Sequence, residues 1–354
     1  MTMKVHHGGF GPKPAEKILK ALDSLPSRKV TVIGDVMLDL FQFCRTGQSK
    51  PIDSEKPGKR AYRLTDKVMT LGGAGNVAVN LAALDVQTSI LGVAGNDGNR
   101  VTLKRLAERR GIRHTFLPDD TRPTTVKSRL YLDDSYVIRV DEESTERISA
   151  ELAERLVERA RGEVAGSDVV ILSDYDKGLF RSGVSEEIVG LCRASGVPVV
   201  VDAKPPNIGL FAGADIVAPN AHEAAALVST FHAPGRREQG VRRLFEMVGA
   251  KNVVVTLGEE GVCGFDGRAY FHVRGHAVRE VDAVGCGDTV RAVMAVAYAS
   301  GLDIESAASV ANDAAALIVQ KPAVSSISRD ELYDFVSKVR GEESGRPLEA
   351  PSGS

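Results

Sequence analysis

The 354-residue sequence contains no tryptophan, and only 5% of its residues are aromatic. Its four cysteines are far apart and form no Cys-x-x-Cys pair, so neither a disulfide framework nor a zinc site is expected. These cysteines are Cys44, Cys192, Cys263 and Cys286. No stretch approaches the roughly 18 apolar residues of a membrane span, and the N-terminus has no apolar signal core. We therefore expect a cytoplasmic protein with no membrane partner.

The sequence also has no large excess of positive or negative charge, because the formal net charge is −2 and no long basic run occurs. Proteins that bind nucleic acid largely do so by neutralising phosphates with lysine and arginine, so no nucleic-acid partner is expected. With 43% hydrophobic residues, the chain is long enough for one large domain or two small ones. Any phosphorylated ligand must be bound by local cationic groups.

Short apolar segments alternate with amphipathic segments along most of the chain. Strands are predicted at 30–33, 88–93, 169–172, 197–201, 216–218 and 253–256, and helices at 14–25, 75–84, 99–110, 151–161 and around Arg242, Val290, Ala307 and Leu332. This alternation predicts an α/β fold with a doubly wound, mostly parallel sheet and helices on both faces. Two polar, β-favouring inserts at about 42–70 and 115–141 are predicted to form a small β lid on a domain spanning 1–340, followed by a disordered tail at 341–354.

The most informative motif is Gly285-Cys286-Gly287-Asp288, which directly precedes an apolar helical run from Val290 to Ser300. Small residues at a helix N-terminus leave backbone N–H groups free to bind an anion. A carboxylate repels bound phosphate unless it has a chemical role. The simplest role for Asp288 is to accept the proton of an attacking hydroxyl group. For this motif taken alone, a turn with a helix N-cap is an equally good interpretation.

Polar or glycine-rich loops follow several of the predicted strands, where ligands bind in doubly wound sheets. Asp35 and Asp39 follow the first strand, and Gly72-Gly73 precedes a helix that carries Asn76. Further loops of this kind are Ser173 to Gly178, Asp202 to Lys204, Asn220 to Glu223 and Thr256 to Gly261. Each one taken alone is consistent with an ordinary loop, but together on one edge they predict a ligand site.

In this order the motifs resemble those of the ribokinase-like sugar kinases, or PfkB family, over about residues 30–340. Gly-Cys-Gly-Asp stands where the family has Gly-Ala-Gly-Asp, and the pairs Asn220-x-x-Glu223 and Gly72-Gly73 and the run Thr256-x-Gly258-x-x-Gly261 fall in family order. The resemblance implies a ribokinase-like fold and transfer of a phosphoryl group from ATP to a sugar hydroxyl. It further implies that Asp288 is the catalytic base and that the amides of Gly285, Cys286, Gly287 and Asp288 form an anion hole.

The same resemblance implies the cofactor sites. Asn220 and Glu223 would organise Mg²⁺ through its water shell, and Asp282 matches a position associated with a monovalent cation, which implies K⁺. The implied ATP-binding residues are Lys204, Asn220, Glu223, Thr256, Gly258, Gly261 and Asn312. A homodimer formed through the lid is also expected.

Within the family, five segments resemble the heptose 7-phosphate kinases, which include the kinase half of a bifunctional ADP-heptose synthesis enzyme. These segments are Gly34 to Asp39, Thr121 to Arg129, Ile138 to Asp141, Leu172 to Gly178 and Val201 to Lys204. Residues 47–63 follow the lid pattern of that group only in part. The resemblance implies phosphorylation of D-glycero-D-manno-heptose 7-phosphate at its anomeric hydroxyl. A kinase for another sugar, sugar phosphate or nucleoside is the alternative. The sequence lacks a His-x-Gly-His element, so no nucleotidylyltransferase half is expected.

A phosphorylated sugar needs cations at the distal end of its site. The expected substrate-binding residues are Asp35, Asp39, Gly72, Gly73, Asn76, Arg122, Lys127, Arg129, Arg139 and Lys177. For any single cation in this set, a solvated lid face is the alternative. Two other classes are disfavoured: a non-catalytic regulator by the presence of Asp288, and a dinucleotide oxidoreductase by the absence of Gly-x-Gly-x-x-Gly spacing at residues 72–75.

Overall fold

The computed structural model describes residues 12–52, 54–233, 235–322 and 325–343. In this part of the chain the strands are β1 (Lys29–Gly34), β2 (Val36–Pro51), β3 (Arg60–Gly73), β4 (Gln87–Gly95), β5 (Arg113–Asp119), β6 (Val126–Leu132), β7 (Ser135–Glu142), β8 (Val169–Ser173), β9 (Val199–Asp202), β10 (Ile216–Val217), β11 (Asn252–Thr256), β12 (Val262–Phe265) and β13 (Tyr270–Val273). The helices are α1 (Pro12–Asp23), α2 (Ala74–Ala83), α3 (Gly98–Arg109), α4 (Ala150–Ala165), α5 (Val184–Ser195), α6 (Ala221–Leu227), α7 (Arg237–Val248), α8 (Cys286–Ala299), α9 (Ile304–Ile318) and α10 (Arg329–Glu343).

The main sheet has the strand order β13-β12-β11-β10-β9-β8-β1-β4-β5. Its pairs from β10–β11 through β4–β5 are parallel, and only β11–β12 and β12–β13 are antiparallel. This topology confirms the predicted α/β fold with a mostly parallel sheet. Because parallel strands share one direction, the loops after β1, β8, β9, β10 and β11 lie along a single edge.

Helices bury both faces of this sheet, as the uninterrupted apolar strands require. Val30 and Val32 of β1 pack in a cluster that includes residues of α1, α2, α8, α9 and α10. Their neighbour Ile33 packs on the opposite face, with residues of α4, α5 and α7. Helix α5 was not anticipated from the sequence, although its N-cap and its C-cap are both left-handed glycines.

The lid is a second sheet with the strand order β3-β2-β6-β7, in which β2 and β6 are parallel. Its existence confirms the prediction, but its bounds differ. Strand β2 begins at Val36, directly after β1, and β3 continues to Gly73. The second insert was predicted to begin at about residue 115, and the assignment of its first residues to the lid was wrong. They belong to β5, which pairs with β4 at the edge of the main sheet.

Register assigns the lid residues to two faces, since side chains alternate along each strand. Asp39, Lys127 and Asp141 are aligned across β2, β6 and β7, and two residues further along Phe41, Arg129 and Arg139 are aligned. We call this the polar lid face. The intervening positions carry mainly apolar side chains, which form the apolar lid face: Leu40, Met69, Leu130, Ile138 and Val140.

At the end of the chain, α10 extends to Glu343, past the predicted domain boundary at 340. Residues 344–354 of the predicted tail lie outside the described residues. In the ranges that the structure describes, no helix combines the length and the apolar character needed to cross a bilayer.

Candidate active site

Helix α8 begins with the predicted motif. Its N-cap, Gly285, has a left-handed backbone (φ 80°), which reverses the chain just before the helix. The Cys286 amide donates to the carbonyl oxygen of Ala283 (3.2 Å) and is therefore already used. Within the described residues, the amides of Gly287 and Asp288 have no backbone partner. The geometry thus supplies anion donors at this end of α8, although Cys286 is not among the free ones.

Asp288 is buried at this helix end, and two side chains from other elements hold its carboxylate. Asn76 Nδ2 of α2 donates to Oδ2 at 2.7 Å, and the Tyr175 hydroxyl group donates to Oδ1 at 2.8 Å. Burial raises the pKa of Asp288, while the Asn76 amide, the Arg291 charge and the Tyr175 hydroxyl partly offset that rise. A fixed carboxylate with a raised pKa is suited to accepting a proton. Burial also raises the pKa of the neighbouring Cys286 thiol to about 11, so this side chain is neutral.

Asp35 joins β1 to the loop after β8. Its carboxylate accepts hydrogen bonds from the backbone amides of Tyr175 (2.7 Å) and Lys177 (3.2 Å). Burial, together with the nearby charge of Asp174, raises the pKa of Asp35 to about 7. Asp35 therefore positions the loop that supplies Tyr175 to Asp288.

Asp39 lies on the polar lid face and is ion-paired with Arg129 Nη1 (2.6 Å). Gly72 lies directly against the Asp39 carboxylate, and a side chain at Gly72 would overlap it. At Gly73 a side chain would meet Met37 and the carbonyl oxygen of Asp35. Both glycines are therefore required for the lid strands to approach Asp35 and Asp39 so closely.

The predicted phosphate-binding cations occupy two positions. Lys127, Arg129 and Arg139 share the polar lid face, where Lys127 Nζ contacts Asp141 (2.9 Å) and Glu143 (3.3 Å). Lys177, on the loop after β8, also contacts Glu143, at 2.7 Å. Arg139 Nε pairs with Asp141 at 2.9 Å.

Arg122 does not join this group. Its guanidinium group binds Asp119 (2.8 Å) and donates to the carbonyl oxygens of Lys177 and Glu146, both at 2.8 Å. These contacts tie the start of the lid to the Lys177 loop, so the structure gives Arg122 a positioning role at Lys177.

A cleft of about 520 Å³ extends from the N-terminus of α8 along the end of β11. The predicted nucleotide residues that line it are Asn220, Thr256, Gly258, Gly261 and Asn312, together with Cys286 and Gly287 of the predicted anion hole. Lys204 is not in the lining. Its Nζ instead contacts Glu223 at 2.6 Å and lies 5.2 Å from the centre of the Tyr175 ring.

Asn220 and Glu223 form a capping box at the start of α6. Glu223 accepts from the Asn220 amide with Oε2 and from Lys204 with Oε1. Both of its oxygens are thus engaged, and no cluster of three metal-binding side chains occurs in the described residues. This donor set fits Mg²⁺ held through water and nucleotide phosphates, which that ion prefers to a cage of protein ligands. Asp282 lies in the loop before α8 and accepts from the Val284 amide at 2.8 Å.

Sequence reasoning assigned no role to three residues of the site, of which Asp202 and Arg291 are buried and Tyr175 is partly buried. Tyr175 contacts the Asp288 carboxylate, while Asp202 and Arg291 form an ion pair (Oδ1 to Nη2, 2.9 Å). Burial raises the pKa of Asp202 to about 7 in spite of that partner. The available signal was Arg291 itself, a charged residue within an otherwise apolar helix.

Comparison with known proteins identifies the family. A model described as pfkB family carbohydrate kinase matches residues 27–331. The chain belongs to this family. It is therefore a carbohydrate kinase, as the sequence predicted, and family membership implies ATP as the phosphoryl donor. The matched residues include every position of the predicted site.

Curated relatives of this pfkB-family kinase include the bifunctional protein HldE of Geotalea uraniireducens (strain Rf4), 35% identical over 326 residues. That match covers 88% of this chain and 64% of the relative. The bifunctional protein HldE of Desulfatibacillum aliphaticivorans is 32% identical over 309 residues, covering 86% of this chain and 62% of the relative. The chain thus spans less than two thirds of the length of these relatives.

Solved structures show the same fold at lower identity. The tetrameric inhibited form of phosphofructokinase-2 from Escherichia coli superposes with a TM-score of 0.73 at 18% identity, covering 88% of this chain and 99% of that chain. Arabidopsis thaliana ribokinase complexed with ribose and ATP gives a TM-score of 0.65 at 21% identity, covering 87% and 98%. These likenesses confirm the ribokinase-like architecture of the kinase.

Proposed function

We propose that this carbohydrate kinase transfers the γ-phosphoryl group of ATP to the anomeric hydroxyl of a heptose 7-phosphate. The observation that carries the proposal is the paired arrangement of Lys127, on the polar lid face, and Lys177, on the loop after β8, around Glu143. Lys127, Lys177 and Arg139 set three cations against the two carboxylates of Glu143 and Asp141, which leaves a local positive charge for an anion in a chain without general positive charge. The identity with the bifunctional protein HldE supports a heptose phosphate as the acceptor.

In this mechanism the acceptor hydroxyl group loses its proton to Asp288 as its oxygen attacks the γ-phosphorus. Asn76 and Tyr175 keep the carboxylate in place, and Asp35 holds the loop that carries Tyr175. The free amides at the start of α8 stabilise charge on the transferring group. Asn220 and Glu223 would hold Mg²⁺ through water, and that ion would neutralise charge on the nucleotide phosphates. Asp282, in the loop before α8, would bind K⁺. The lid would exclude water, which competes as a phosphoryl acceptor.

The acceptor is tested by measuring ADP release with free and phosphorylated hexoses and heptoses. We expect the heptose 7-phosphate to give the highest kcat/KM. Lys177→Ala should raise KM for it by about tenfold, or about 1.4 kcal/mol, because a charge-assisted contact is lost. Arg129→Ala should have a smaller effect, since Asp39 neutralises Arg129 alone, whereas Lys177 shares the Glu143 carboxylate with Lys127.

The control is Lys251→Ala, which removes a lysine with an equally close carboxylate partner, Asp215 (2.6 Å), at a position outside the site. Lys251→Ala should leave KM for the heptose phosphate and KM for ATP unchanged. Lys177→Ala should leave KM for ATP nearly unchanged. Equal turnover of free sugars, or an unaltered heptose phosphate KM in Lys177→Ala, would rule out a phosphosugar acceptor. A kinase for another sugar would then be the better description.

We also infer that a second copy of the chain covers the apolar lid face. Ile138 and Val140 are 50% and 58% exposed there, and Met69 is 40% exposed. Apolar side chains clustered on one face of a sheet are typical of an interface. Sedimentation should show a dimer at micromolar concentration that Ile138→Lys with Val140→Lys dissociates, whereas Met247→Lys, at an exposed apolar residue of α7, should not. A monomeric wild type would contradict this inference.

A further inference from the structure

Arg291 is the one charged side chain in α8 apart from Asp288, and it is 5% exposed. Its Nε donates to the carbonyl oxygen of Ala218 at 3.1 Å. Its Nη2 lies 2.9 Å from Asp202 Oδ1 and 3.7 Å from Glu223 Oε2. Because a buried charge is costly unless it is paired, these two carboxylates explain how the guanidinium group is tolerated inside the protein.

The remaining terminal nitrogen, Nη1, lies against Gly287. A Cβ atom at position 287 would be 2.5 Å from Nη1, so the missing side chain of Gly287 provides the space for this nitrogen. Nη1 accounts for none of the hydrogen bonds or ion pairs found among the described residues. Arg291 and Gly287 both line the nucleotide cleft. A guanidinium nitrogen with no partner in the described part of the chain therefore lies at the N-terminus of α8, beside the amides of Gly287 and Asp288.

We propose that Arg291 is a phosphate-binding residue, whose Nη1 donates to a phosphate oxygen of the bound nucleoside triphosphate next to the Gly287 amide. This inference rests on the proposed function for the location of the triphosphate. Arginine is permanently charged and is less strongly hydrated than lysine, so it suits a buried anion site. The guanidinium group of Arg291 is already held in place by Ala218, Asp202 and Glu223, so phosphate binding costs little further side-chain entropy.

During transfer, a bond forms between the acceptor oxygen and the γ-phosphorus. The bond from that phosphorus to the oxygen shared with the β-phosphate breaks, and its electron pair leaves with the nucleoside diphosphate. The acceptor proton goes to Asp288. Arg291 balances negative charge on the phosphate oxygens throughout, and its charge also helps to keep the Asp288 carboxylate ionised.

The test compares Arg291→Lys with wild type in calorimetric binding of a non-hydrolysable ATP analogue and of adenosine. A lysine can pair with Asp202, but its single nitrogen cannot also reach the phosphate. We expect the affinity for the analogue to fall by about tenfold or more, the effect of one charge-assisted hydrogen bond. Adenosine, which has no phosphate, should bind equally well to both proteins.

The matched control is Arg340→Lys, at another buried arginine with an aspartate partner, Asp313 (2.8 Å), on α10. It should lower Tm without changing the affinity ratio of analogue to adenosine. If Arg291→Lys does not fold, Arg291→Gln combined with Asp202→Asn replaces the ion pair by a neutral pair and is tested in the same way. An unchanged analogue affinity in either variant overturns the inference. A wild-type protein that binds no triphosphate would instead refute the proposed function, and the inference with it.

Discussion

Replacing Asp288 by asparagine is expected to lower kcat by roughly 10²–10⁴, the usual contribution of a positioned general base. Asparagine has nearly the same shape but cannot accept the proton of the acceptor hydroxyl. Its single oxygen can accept from either Asn76 or Tyr175, but not from both as the carboxylate does. The fold and ATP binding should persist, because removing a negative charge beside the phosphates relieves repulsion. Steady-state kinetics with calorimetric ATP binding measure both quantities, and near-wild-type turnover would exclude Asp288 as the base.

Tyr175→Phe is a milder test of the Asp288 carboxylate, because it removes one hydrogen-bond donor and leaves the carboxylate itself in place. A base must be ionised to act, so kcat/KM rises with pH through the pKa of Asp288, which burial raises above the usual value for aspartate. Removing the Tyr175 hydroxyl group takes away a donor that favours the ionised form. The acid limb of the kcat/KM profile should therefore move to higher pH, while activity at alkaline pH is largely retained. A pH-independent loss would instead indicate that Tyr175 acts through structure alone.

Features that depend on a few adjacent residues could be predicted from the sequence. The start of α8 was recognised because glycines and an aspartate directly before an apolar run define a helix N-terminus. The capping box of Asn220 and Glu223 is local in the same sense. The mostly parallel character of the main sheet, with helices on both faces, followed from the alternation of apolar and amphipathic segments.

Features that depend on tertiary contacts could not be predicted in this way. Tyr175 is 113 residues from Asp288 along the chain, and only the packing of the loop after β8 against α8 brings them together. Arg122 was taken for a lid cation because its charge was visible, whereas its partners, two backbone carbonyls and Asp119, were not. Strand β5 was assigned to the lid because its polar, β-favouring composition suits an edge strand of either sheet.

The anion hole itself is expected to fail when Gly285 is replaced by alanine. Gly285 is in the left-handed region (φ 80°), and a Cβ there would lie 2.9 Å from Asn76 Nδ2, the amide that holds Asp288. Either the chain before α8 or the Asn76 side chain must move. Displacing a preorganised anion donor or a base in this way costs on the order of 10²–10³ in kcat.

Gly183 is a matched control for this substitution. It is the N-cap of α5, has nearly the same left-handed backbone (φ 84°), and has open space where a Cβ would be. Gly183→Ala and Gly285→Ala should therefore share the backbone strain of about 1–2 kcal/mol and a similar fall in Tm. Only Gly285→Ala should also lose turnover, because only there does the added methyl group reach a side chain that contacts Asp288. If both variants lose activity in proportion to their Tm, strain rather than displacement of Asn76 is the cause. If neither does, the contact between Gly285 and Asn76 does not position Asp288.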